Sequence, residues 1–80
     1  MVKYQKYQVT WRDHFSSEGW FDLANPNVNK DMQLTSVGFF VGEDKNYYHI
    51  ARTVGINDHP VCADMMSILK NQVVKIKVLK

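Results

Sequence analysis

The stretch NYYHIAR, Asn46 to Arg52, gathers the side chains best suited to holding a ligand. Tyr47, His49 and Arg52 fall within six residues of one another. On a strand, such rings can stack on a nucleotide base while an arginine fork binds phosphate. The alternative is that one tyrosine is core, the other an ordinary cross-strand neighbour, and Arg52 pairs with Glu43 or Asp44. A second candidate is ADMM, where Met65 and Met66 precede Ile68. Methionine suits contacts that must adapt, so this segment either meets another protein, identical subunits included, or fills a core. If it is a strand, one of the pair should be exposed. Two tryptophans stand nine residues apart in VTWRDHFSSEGWF. Trp11 alternates with Tyr7 and Val9 as core, whereas Trp20 either covers an open end of the fold or stacks on a ligand.

Reaction chemistry finds little support. Arg12, His14 and Glu18 lie close together beside Ser16 and Ser17, but no glycine frame holds either serine as a nucleophile. This segment reads as a solvated turn, with Asp13 capping free N–H groups. His14, His49, His59 and Cys62 are the softer metal ligands. HPVC spaces His59 and Cys62 as one knuckle, and structural zinc normally takes two. The lone cysteine therefore reads as a small buried hydrophobe. With no phosphate-binding glycine loop, paired catalytic carboxylates or metal set, the expectation is a non-enzyme without cofactor.

These side chains need elements to position them. KYQKYQVTW alternates, with Gln5, Tyr7, Val9 and Trp11 on one face, and so predicts a strand. Trp20, Leu23 and Ala24 are at helical spacing and predict a short helical turn before NPNVNKD. LTSVGFFVGED predicts a strand whose Val37, Phe39 and Val41 share a face. EDKN follows as a hairpin loop. YYHIARTVG returns, with Tyr48, Ile50 and Arg52 opposite Tyr47, His49, Ala51 and Thr53. GINDHP is a turn, and VCADMMSI is strand or helix. After the polar step LKNQ, VVKIKVLK predicts a strand with Val74, Ile76 and Val78 inward. Its Lys75 and Lys77 face outward and blunt an edge.

The resulting expectation is a single mainly β domain over residues 1–80. It is a small five-stranded SH3-like or Sm-like barrel with one short helical turn after strand 1. Composition fits a globular chain: 45% hydrophobic, 22% charged, and a net charge of +2 too small to demand nucleic acid. No apolar run approaches the roughly 20 residues that span a bilayer. One cysteine and the polar start MVKYQKYQ suggest a cytoplasmic protein. At this length burial is modest, so a homo-oligomer is expected.

The order VTWRD, SSEGW, SVGFFVGEDKNYYHIA and ILKNQVVKIKVL resembles a group of small accessory proteins of bacteriophages. Those carry a Trp-x-Asp strand, a second Trp, a Val-Gly hairpin and a terminal Ile-Pro-Lys-x-x-Ile-x-x-Ile-x-x-Leu segment. Here Ile68, Leu69, Lys70, Val73, Ile76 and Leu79 occupy the last pattern, with Leu69 in place of proline. The resemblance implies an SH3-like or Sm-like barrel in the cytoplasm of a host cell, and carries over no active-site residues. The expected function is non-enzymatic binding, either of a host protein such as a defence factor or of a small nucleotide-like ligand. An Sm-like RNA-binding ring is the alternative, weakened by the scattered basic residues.

Overall fold

The computed structural model describes residues 1–13 and 32–80. Five strands make one sheet: β1 (Lys6–Asp13), β2 (Met32–Glu43), β3 (Tyr47–Ile56), β4 (Pro60–Leu69) and β5 (Val73–Val78). A single 3-10 turn, η1 (Lys70–Gln72), joins the last two. The sheet order is β4-β3-β2-β1-β5 and every neighbouring pair is antiparallel. The sheet is open, with no ladder joining β4 to β5, so closure into a barrel is not part of this arrangement. The helical turn expected around Trp20, Leu23 and Ala24 lies outside the described residues.

The alternation in β1 works as the sequence predicts. Tyr7 and Val9 are buried, and Trp11 packs against them half-buried. Trp11 Nε1–H donates to Ser36 Oγ at 3.0 Å, which satisfies the indole donor. The Tyr7 hydroxyl accepts from the Val2 N–H at 2.7 Å. Its ring meets Phe40 edge-on, at 6.4 Å and 88°. Phe40 of β2, Ile50 of β3 and Ile68 of β4 complete the cluster, with Tyr48 and Val73 packed at its margin.

A bulge decides one face assignment that alternation alone gets wrong. Trp11 pairs with Val73 whereas Thr10 pairs with Lys75, so Val74 is the extra residue of a bulge. Val74 is accordingly 54% exposed and Val73 takes the inward place. Ile76 and Val78 do pair with Val9 and Tyr7 on the core face. Both remain more than one third exposed, because among the described residues β5 has a neighbour on one side only. In β2, Val37 and Phe39 turn away from the core, and Phe40 is the buried member. A second bulge follows at Val41, since Phe40 pairs with Ile50 and Gly42 with His49.

The connection between β4 and β5 reveals the curvature. Leu69 and Val73 are four residues apart, so their Cα atoms lie within about 15 Å of each other. In a flat five-stranded sheet the two edge strands would be about 19 Å apart. The sheet must therefore curl. Gly38 marks one close approach within it: a Cβ there would meet Ala51 O at 3.0 Å and Ile50 Cβ at 3.3 Å.

Candidate functional site

The β2–β3 hairpin turns over Asp44, Lys45 and Asn46, one residue shorter than the EDKN loop, because Glu43 is still paired with Tyr48. Asp44 Oδ1 accepts the N–H groups of Asn46 and Tyr47 at 2.9 and 2.8 Å. This is the self-bonding turn that aspartate favours. Those two backbone donors, aided by His49, hold the Asp44 carboxyl below its ordinary value of 3.8.

Register then builds a cluster that sequence spacing hides. His49 lies opposite Ser67. Its Nδ1 is 2.7 Å from Ser67 Oγ, and its Nε2 is 3.2 Å from Asp44 Oδ2. Tyr47 stacks on the imidazole at 6.4 Å and 19°, and is itself 37% exposed. The connectivity, carboxylate to imidazole to hydroxyl, is that of an acid–base relay. Beside it, the hollows around Arg52 and around Cys62 do not reach His49 or Ser67. The cluster thus ties the hairpin turn to β3 and β4 and presents one aromatic face to solvent. Asp44 and Ser67 were absent from the expected site, since only the strand register brings a serine eighteen residues away against the ring.

Arg52 does not join this cluster. It alternates onto the face of Tyr48 and Ile50, opposite Tyr47 and His49. Its expected acidic partners are engaged elsewhere: Asp44 with His49 at 3.2 Å, and Glu43 with Lys70 at 3.5 Å. Lys70 Nζ also sits 5.1 Å from the Tyr48 ring centroid. Across the ladder, the pairs Ala51–Met65 and Thr53–Ala63 bracket Arg52 against Asp64. Both line a hollow of about 340 Å³ with Ser36, Ile50 and Met66. The NYYHIAR patch is therefore two surfaces, not one.

VCADMMSI is a strand, the greater part of β4. Its residues Pro60 to Ser67 are all exposed, in eight consecutive positions. Met65 and Met66 are 56% and 43% exposed, where one of the two was expected to be. Met66 pairs with Ile50 on the core face and Met65 with Ala51 on the other. Cys62, expected to be buried, is exposed. The cause is shared: among the described residues, β4 is an edge strand with β3 as its single neighbour.

Among the described residues, the outer backbone edge of β4 has no partner, and the pattern is defined. Lys70 N–H donates to Asn46 O at 2.8 Å, which sets the phase of the β3–β4 ladder. Alternate residues in an antiparallel pair bond to the same neighbour. Even-numbered residues of β4 therefore face β3, and Val61, Ala63, Met65 and Ser67 direct N–H and C=O to the open side. Trp20, the remaining expected site residue, lies outside the described residues.

Compared with protein-family models, with curated proteins and with solved structures, the chain matches none.

Proposed function

We propose that the chain is a non-enzymatic binding module that works through β4, adding a strand of its partner to the open edge. The observation that carries this reading is the run Pro60–Ser67, exposed throughout. Between Pro60 and Leu69 the strand holds one charge, Asp64. An exposed, apolar, unpaired strand is a ready template for another chain, with main-chain bonds giving affinity and Val61, Met65 and Met66 giving side-chain contacts. The resemblance to bacteriophage accessory proteins supports a host protein, met in the host cytoplasm, as the partner class. The curl of the sheet and the three-residue step from β4 to β5 support reading the fold as an SH3-like or Sm-like barrel left open along one seam.

Met65→Pro tests this reading. It deletes an outward N–H on the edge strand and also presses Asp64, at φ 57, toward extended backbone. Met65→Lys, which blunts the edge without that strain, is read beside it and should behave alike. The wild-type chain should retain a host protein from lysate that Met65→Pro, still folded by far-UV circular dichroism, releases. Tyr47→Ala should keep that protein. Undiminished capture by Met65→Pro removes β4 from the account.

The exposed face of Tyr47, stacked on His49, favours a second reading in which a nucleotide base lies on that pair. An Sm-like RNA-binding ring is one form of it. Retention on an oligonucleotide column that falls steeply with salt, and is lost in Tyr47→Ala, is the outcome it requires.

A further inference from the structure

We propose that a second copy of the chain occupies β4, pairing antiparallel with it about a two-fold axis at Met65. The proposal rests on the reading of β4 as the strand-adding edge, for which a second copy and a host strand compete.

The two edges of the sheet differ. Along β5, Lys75 and Lys77 alternate, and lysines on an edge strand discourage addition of another strand. Strand β4 has no lysine or arginine. If only β4 is open to pairing, a second copy must use β4 as well, which closes the assembly as a two-fold dimer.

Symmetry and charge then select the register. A two-fold axis normal to the sheet keeps the core faces on one side, so opposed residues are both odd or both even. Centring the axis on Asp64 would set two carboxylates directly opposite, which is unfavourable. Centring it on Met65 sets Met65 against Met65, Asp64 against Met66, and Val61 against Leu69 of the second copy. Continued outward, Pro60 lies opposite Lys70 of the second copy. This brings the exposed Asn57–His59 turn, with Asp58, beside that lysine. At each end Asp58 then approaches a lysine that also holds Glu43 of its own chain at 3.5 Å. Val61, Ala63, Met65 and Ser67, whose N–H and C=O groups face outward, fall at the hydrogen-bonding positions.

Single-cysteine variants in a Cys62→Ser background test the pairing. In hydrogen-bonded antiparallel pairs the Cα atoms are about 5.5 Å apart, within disulfide range. Met65→Cys should form a covalent dimer on mild oxidation at least roughly ten-fold faster than Val74→Cys on β5, because pairing raises the effective thiol concentration. Asp58→Lys alone should weaken dimerisation in sedimentation equilibrium. Adding Lys70→Asp in a Glu43→Gln background, which spares the new carboxylate a like-charged neighbour, should restore it. The proposal is overturned by a folded monomer of 9.3 kDa in light scattering at micromolar concentration. Equal oxidation rates at positions 65 and 74, or a double charge swap that restores nothing, would overturn it too. A monomer whose host capture is still lost in Met65→Pro would sink this proposal and leave the wider reading of β4 standing. If Met65→Pro alters neither association nor capture, both fall.

Discussion

Asp44 shows how one exposed side chain organises a turn. Its carboxyl is held below 3.8 by the N–H groups of Asn46 and Tyr47, then by His49. A carboxyl whose value is lower in the folded state stabilises that state above the ordinary value, and the benefit is lost as pH falls below it. Asp44→Ala should lower the melting temperature at neutral pH and flatten its dependence below pH 3.8. Asp44→Asn, which keeps an acceptor for both N–H groups, should lose less; thermal melts across acid pH read both. Asp64 has a left-handed backbone at φ 57, which aspartate tolerates better than branched residues do. Asp64→Gly should be neutral or stabilising, and Asp64→Val should cost about 1–2 kcal/mol in chemical denaturation. In the core, Ile68 is 1% exposed, so Ile68→Val should cost about 0.5–1.5 kcal/mol.

Strands β1 and β3 were legible because each sits between two neighbours and shows the core one face. Tyr7 and Val9 in β1, and Ile50 in β3, carry that alternation into burial. Strand β4 was not legible. Exposed along eight residues, it needs no periodic pattern, and VCADMMSI has none to distinguish strand from helix. In β5 a bulge turns Val74 outward and gives Val73 the inward place. In β2, alternation marks the face that Val37 and Phe39 share without telling that it is the outer one. Gly38 belongs at this scale as well, for it lets β2 lie close to β3. Gly38→Ala places a methyl against Ala51 O at 3.0 Å and should destabilise the sheet by about 1–3 kcal/mol. An equilibrium unfolding curve with an unchanged slope and a lower midpoint is the expected result.

For the whole molecule, the decisive feature is an open sheet that curls over a small cluster. Among the described residues that cluster is Tyr7, Val9, Phe40, Ile50 and Ile68. Exposed apolar side chains gather at the two edges: Val61, Met65 and Met66 on β4, and Val74, Ile76 and Val78 on β5. An assembly that covers β4 binds the folded state alone, so it should make the melting temperature rise with protein concentration. In Met65→Pro that dependence should vanish. A melting temperature independent of concentration in the wild type would mean that β4 stays uncovered by its own kind.

Hydrophobic alternation and turn residues, local quantities written in neighbouring positions, determined that this chain is mainly β, with its hairpin at Asp44 and an inward row at Tyr7, Val9 and Trp11. The meeting of Asp44, His49 and Ser67, the parting of Arg52 from Tyr47, and the exposure of β4 on both faces were decided by tertiary structure alone. Each depends on which strands are neighbours and in what register, and those relations join residues far apart along the chain.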